Sequence, residues 1–444
     1  MVKQKHKMNQ TNRQKSKQKR AINRAYKREQ REHRLNTYKV RKPSKLLYRF
    51  ADNILVKRYS TSKNTNIRYN FDVKNLKPPF IVLFAHPSIR DFIYVIDAMR
   101  PHIVSSVISR WFFHDFFLRL FLPKLGGIPK RLFTNEPNVV KNIMTVMKNN
   151  GIVTLSPEGI NTLNGESLSL IPSTAKLIKK LKVPVISVNI NGAYLTVPNY
   201  NYDAKNVGRV DVIVDMMFTT EELEQKSNDE LLDEMTQKLY YNDFEWAREN
   251  NIEFKAENRT FGLNNLLYIC PKCKSQYKME EADNKIWCSE CGFGAFVDTR
   301  FQLNKLRDDD ELPTDISQWF NIQDNIIKNE IAAPDFEIRE KCVVKNFSKY
   351  GARLIPRYDG EMVINNTGVR FIGVDVKTGS KEELFIEIEK FPRVSNTVNK
   401  GIYFYVNDVC CEFEFKNGAK TIQCTQAIYH LHNLKNEINN KEIE

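Results

Sequence analysis

Long apolar runs are missing from this chain. Nothing in it approaches the roughly 18 uninterrupted apolar residues that a membrane-spanning helix needs. The basic N-terminus is not followed by the short apolar core of a secretory signal, so an intracellular protein is expected. Histidine is scarce, with seven in 444 residues, so one at the end of an apolar strand merits a test for chemistry. Acidic residues are almost lacking from the first 50 positions, where only Glu29 and Glu32 stand against 18 Lys and Arg.

That last shortage places the whole basic balance of the protein. Residues 1–50 carry a net charge of +16 and the remainder −1, so the overall +15 is a property of a tail and not of the body. Such a tail, taken here as residues 1–44, is expected to be disordered or partly helical and to seek polyanions. Anionic lipid, RNA and acidic carrier proteins are candidate partners; a solvated solubilising arm is the plainer alternative. Behind it, KLLYRFADNILVKRY sets Leu47, Phe50, Ala51, Ile54 and Leu55 at helical spacing among basic residues. Such a helix either lies in a membrane interface or docks on the body.

The whole chain is 41% hydrophobic, enough for a substantial core in two to four domains. From Pro78 onward short apolar runs alternate with helical patterns: PFIVLFA, HIVSSVIS, GIVTLSPEG and VPVISVNING read as strands, DFIYVIDAM and STAKLIKKLK as helices. This alternation over about residues 78–220 predicts an α/β fold with a mostly parallel sheet flanked by helices. In such sheets sites gather beyond the carboxyl ends of strands, which is where His86, Glu158 and the NING turn fall. Between them RWFFHDFFLRLFLPKLGG reads as one helix with a wide apolar face, belonging either to the core or to a lip that meets a membrane or an acyl chain.

Eight cysteines divide into two groups. Cys270, Cys273, Cys288 and Cys291 follow C-x2-C-x14-C-x2-C, two knuckles that can bring four thiolates together around one structural zinc. Four sulfur ligands leave no open position for a substrate. Cys342, Cys410, Cys411 and Cys424 have no ligand spacing and read as packed thiols. Past the acidic DDDELP, about half a dozen strand candidates and a C-terminal helix, QAIYHLHNLKNEI, suggest a β-rich domain, PH-like or GRAM-like in architecture.

The chemistry centres on LFAHPSIRDF. Residues five apart lie roughly 140° from one another around a helix, so Asp91 reaches the His86 imidazole only if His86 sits in the turn before the helix. Pro87 and Ser88 suit that turn. A histidine so oriented can take a proton from an alcohol, which is what direct acyl transfer requires. SPEG lacks the G-x-S-x-G elbow of an acyl-enzyme nucleophile.

After HPSIRD come GGIPKR, LSPEGINT and KVPVISVNI, in that order. The set resembles the four sequence blocks of the 1-acylglycerol-3-phosphate acyltransferases, a glycerolipid acyltransferase family marked by H-x4-D, over roughly residues 75–220. The resemblance implies that His86 is the general base and Asp91 its orienting partner. It implies that Arg131, Glu158 and Gly159 bind the acceptor, with Lys130 as a second cation, and that Pro184 belongs to the acyl-donor side. Acyl-CoA or an acyl carrier protein thioester would be the donor, and a lysophospholipid at the anionic inner face of the cell membrane the acceptor. Ala85 stands where Asn often precedes the histidine, Lys130 where an Asp precedes the Arg, and Ile160 with Asn161 where the family commonly carries an Arg.

The expected organisation is thus a tail (1–44), an acyltransferase domain (45–262), a zinc ribbon (263–300) and a β-rich domain (301–444). The rival reading, a nucleic-acid-associated zinc-ribbon protein, draws on the tail and the ribbon. The near-neutral body, with no evident basic and aromatic strand face, argues against nucleic acid.

Overall fold

The structure, a computed structural model, describes residues 32–59, 64–347, 354–406 and 409–441. Most of the basic tail, residues 1–31, lies outside them. The remainder of the expected tail does not hang free. Residues 32–36 are helical, and 37–44 run along the body, where the Tyr38 hydroxyl donates to the Gly127 carbonyl at 2.8 Å. The Val40 amide donates to the Asn142 side chain at 2.7 Å. The tail boundary therefore needs correcting: apolar Leu35 and Tyr38 anchor a segment whose charge alone suggested disorder.

The first sheet has seven strands: β1 (Thr65–Tyr69), β2 (Phe80–Phe84), β3 (Val104–Ser109), β4 (Ile128–Lys130), β5 (Ile152–Leu155), β6 (Val185–Asn191) and β7 (Val210–Phe218). Their order is β1-β7-β6-β2-β5-β3-β4. All neighbours run parallel except β6 and β7, which are antiparallel. The central strand β2 is buried at all five positions, the signature of a strand covered on both faces. Ile81 and Leu83 point into one core, with Ile143 and Met147 of helix Pro137–Lys148 and Ile178 of helix Ser173–Leu181. Phe80, Val82 and Phe84 point into the other, with Tyr94 and Val95 of helix Asp91–Ala98.

The segment after β3 departs from the single helix expected. Helix Arg110–His114 stops at Asp115, whose carboxylate accepts from the amides of Phe117 and Leu118 at 2.8 and 2.9 Å. A short helix Leu118–Phe121 and a 3-10 turn Leu122–Leu125 follow. Of the apolar face only Phe113 is buried, whereas Phe112, Phe116, Phe117, Leu120 and Phe121 are exposed, so the core reading fails for most of it.

The cysteine region is a four-stranded antiparallel sheet of β8 (Met279–Ala282), β9 (Lys285–Cys288), β10 (Gly294–Val297) and β11 (Leu303–Lys305). Beyond it stands a helix that the sequence reading missed, Ile316–Glu330, capped by Asp315, whose carboxylate accepts from the Gln318 amide at 2.9 Å. The third sheet comprises β12 (Glu337–Phe347), β13 (Leu354–Asn365), β14 (Gly368–Asp375), β15 (Lys381–Glu387), β16 (Ser395–Thr397), β17 (Gly401–Val406) and β18 (Val409–Phe415). It is antiparallel throughout, in the order β15-β14-β13-β12-β18-β17-β16, and helix Thr421–Lys441 packs on it. Seven antiparallel strands and one C-terminal helix bear out the β-rich region and closing helix expected. Ribbon, helix Ile316–Glu330 and third sheet share one apolar core, which also takes in Tyr194, Phe244 and Phe254 of the preceding body.

Candidate active site

His86 stands two residues beyond β2, before helix Asp91–Ala98 begins. The turn brings its Nδ1 to 2.7 Å from Asp91 Oδ2. Asp91 is fully buried and also accepts from the Ser88 amide, at 2.9 and 3.1 Å. With a carboxylate as its partner, Nδ1 carries the proton, and Nε2 keeps its lone pair. The imidazole is 25% exposed, enough for a small reactant to reach it. Burial favours its neutral form, but the hydrogen bond and charge of Asp91, with the charge of Glu158, outweigh this and raise its pKa. Burial pushes Asp91 up to about 6, against the pull of His86 and the Ser88 amide.

The backbone of His86 is fixed on both sides. Its amide donates to Glu158 Oε1 at 2.8 Å, and its carbonyl accepts from the Thr162 amide at 3.1 Å. Glu158 follows β5, the strand beside β2, so the two strand ends meet at one edge. Its other oxygen accepts from the Leu168 amide at 3.0 Å and the Tyr241 hydroxyl at 3.1 Å. Burial raises Glu158 to about 7. Sequence resemblance assigned Glu158 to the acceptor; the structure instead turns it inward and gives both its oxygens to donors of its own chain. It braces the base.

The remaining expected residues divide by location. Gly159 adopts a φ of +82°, and a Cβ there would come within 2.9 Å of Ile171, so this turn calls for glycine. Lys130 ends β4 and Arg131 follows it, at the same carboxyl edge as His86. They are separated from β2 by β5 and β3, hence by three strand spacings or roughly 14 Å. Arg131 Nε lies 2.9 Å from Glu136 Oε1, and Lys130 Nζ donates to the Thr134 carbonyl at 3.3 Å. Burial lowers the pKa of Lys130. Pro184 lies elsewhere: it precedes β6, and its carbonyl accepts from Ile81 at the amino end of β2, roughly 15 Å along the sheet from His86. It is not brought to the dyad.

Sequence reasoning missed Tyr241 and Asp243. Asp243 is fully buried and accepts from the amides of Gly192 and Tyr194 at 2.8 and 2.7 Å, holding the turn that ends β6. Burial raises its pKa to about 7. Asn242, the cap of helix Asp243–Glu249, was the available signal, but a cap does not reveal which loop its neighbours will meet.

The ribbon gathers its four cysteines as the spacing implied. Their sulfurs all lie within 4.8 Å of one another, with Cys270 and Cys291 at 3.6 Å and Cys273 and Cys288 at 3.7 Å. A tetrahedral site with metal–sulfur bonds of about 2.3 Å has edges of about 3.8 Å, so the four thiols fit a metal ion such as zinc. The other four cysteines are buried, as packed thiols should be.

Comparison with known proteins gives results of unequal weight. No curated protein matches. A solved structure, the 1-acyl-sn-glycerophosphate (LPA) acyltransferase PlsC from Thermotoga maritima, is similar over 43% of this chain and 76% of that chain, at 16% identity and a TM-score of 0.37. The Acyltransferase family model matches residues 49–191, which contain β1 to β6, the His86–Asp91 pair, Glu158 and the Arg131 loop. The likeness of this chain to the Acyltransferase family thus lies in residues 49–191.

Proposed function

We propose that the protein transfers an acyl group from a fatty-acyl thioester to the free hydroxyl of a lysophospholipid, with 1-acylglycerol-3-phosphate as acceptor and phosphatidic acid as product. The observation that carries this reading is the His86–Asp91 pair: an imidazole with one nitrogen held by a buried carboxylate and a partly exposed edge. Nε2 takes the proton of the acceptor hydroxyl as its oxygen attacks the thioester carbonyl. The tetrahedral intermediate then expels the thiolate, and the imidazolium returns the proton to the departing sulfur. No acyl-enzyme is needed. Acyl-CoA or an acyl carrier protein thioester fits as donor, and Lys130 and Arg131 are the cations suited to the acceptor phosphate.

The reaction is set at an anionic membrane surface on the cytoplasmic face. Supporting this, Ile89 and Phe92 beside the dyad, Phe112, Phe117 and Phe121 after β3, and Leu46 and Phe50 of helix Lys45–Tyr59 are exposed apolar residues. That helix packs on helix Asp91–Ala98 and on the turn Leu122–Leu125, so the three groups adjoin. Among the described residues no helix is long and apolar enough to cross a membrane. The cysteine cluster is assigned a structural zinc.

The test is turnover of purified protein with acyl-CoA and 1-acylglycerol-3-phosphate, beside a panel of other lysolipids. His86→Ala should abolish thioester-dependent acylation while metal content and fold persist. Near wild-type acylation by that variant would place the base elsewhere.

A further inference from the structure

The third sheet, which the acyl-transfer chemistry does not use, meets the acyltransferase domain at the short helix after β3. Phe347 at the end of β12 stacks on His114 with ring centres 4.7 Å apart and planes 18° apart. Phe347 and Tyr403 of β17 both meet Trp111, at 4.6 and 4.8 Å. Trp111 and His114 belong to the five-residue helix that starts with Arg110.

Arg110 is 1% exposed. A guanidinium so deeply buried must be matched by acceptors, or it would cost the fold its lost hydration. Its Nη2 donates to Glu136 Oε1 at 3.0 Å, its Nη1 to Asn36 at 2.8 Å, and Glu32 lies 3.7 Å away. The same Glu136 oxygen receives Arg131 Nε at 2.9 Å, and its second oxygen receives the Arg131 amide at 2.5 Å. One carboxylate thus holds both guanidinia and the backbone of the acceptor loop. Water kept from this group by the aromatic residues of the third sheet would otherwise screen it.

We propose that the β-rich domain governs acceptor binding through this contact: Phe347 and Tyr403 fix Trp111 and His114, these seat Arg110, and Arg110 with Glu136 positions Arg131. Arg110 and Glu136 are positioning residues, and Phe347 is the domain's hold on them. The inference rests on the reading of Arg131 as an acceptor cation. It gives the third sheet a part in substrate use that lipid contact by that sheet would not require.

The test uses the full chain with its metal, varying acyl-CoA and 1-acylglycerol-3-phosphate separately. Binding of the latter is followed by calorimetry as a readout independent of turnover. Arg131→Gln calibrates the acceptor reading. Phe347→Ala and Glu136→Gln should raise the acceptor KM and Kd by roughly fivefold or more, with kcat and the donor KM within about twofold. Phe347→Trp, which keeps a ring against His114, should restore most of the loss. In the Arg131→Gln background neither substitution should add a comparable further loss, because all act through one group. If Glu136→Gln fails to fold, Phe347→Ala decides. An acceptor Kd raised by Arg131→Gln but unmoved by Phe347→Ala overturns the relay alone, as do fully additive effects. A Kd unmoved by Arg131→Gln removes the acceptor reading and this inference with it.

Discussion

Replacing Asp91 by asparagine separates the role of this carboxylate in catalysis from its role in the fold. Asparagine keeps one oxygen for the Ser88 amide but sets an NH2 group where Oδ2 faces His86 Nδ1, 2.7 Å away. An amide donor there makes Nδ1 the acceptor and moves the ring proton to Nε2, so the nitrogen facing the reactant is no longer a base. The equivalent loss in serine proteases costs about 10⁴ in kcat, and a fall of about 10³ to 10⁴ is expected here. Stability should behave differently. Asp91 rises from an ordinary 3.8 to about 6, so its ionised form costs the fold on the order of 3 kcal/mol. An acid raised in this way stabilises the fold most below its ordinary pKa, and loses that contribution as pH climbs toward 6. That cost already includes the hydrogen bonds the carboxylate gains from His86 and Ser88, and asparagine, which cannot ionise, removes it, so the variant should be at least as stable as the wild type at neutral pH. The assay pairs kcat with thermal melting from pH 5 to pH 8. Loss of Asp91's charge also removes the largest influence raising His86, so the acidic limb of the residual rate should move to lower pH. A variant that keeps more than about a tenth of wild-type kcat would refute the dyad, since the wrong tautomer cannot leave the rate so high.

Three further outcomes are expected. Glu158→Gln should lower kcat and leave the acceptor KM nearly unchanged, because the Leu168 amide would face a donor and the His86 main chain would loosen; a large rise in acceptor KM at constant kcat would return Glu158 to substrate binding. Cys288→Ser should reduce zinc, measured by elemental analysis, from one ion per chain and lower the melting temperature; unchanged zinc content would refute the four-thiolate site. Deleting residues 1–31, with their twelve Lys and Arg, should weaken binding to anionic vesicles at low salt and reduce its salt dependence, each charge near the surface being worth about 1 kcal/mol; equal binding of both proteins would refute the tail's role, and tight RNA binding by the intact chain would favour the nucleic-acid reading.

The sequence alone determined what short-range chemistry decides. PFIVLFA had to be a strand buried on both faces because five consecutive apolar groups leave no polar side. His86 had to precede the helix because five residues of helix would have turned Asp91 away. The cysteine spacing required two knuckles facing one another, since four thiolates of one metal must converge. What the sequence left open were contacts between distant segments. Glu158 at a strand end reads equally as ligand or brace, and only the approach of the Leu168 amide and the Tyr241 hydroxyl made it a brace. Asp243, 51 residues from the Gly192 amide it holds, carries no local mark of that task. The charge of residues 32–44 suggested disorder until Leu35, Tyr38 and Glu32 found partners on the body. Pro184 falls within a motif that also contains β6, but the direction of that strand puts it at the far end of the sheet from His86. Such pairings depend on how whole elements stack, and that is set by the summed burial of many side chains rather than by the residues that meet.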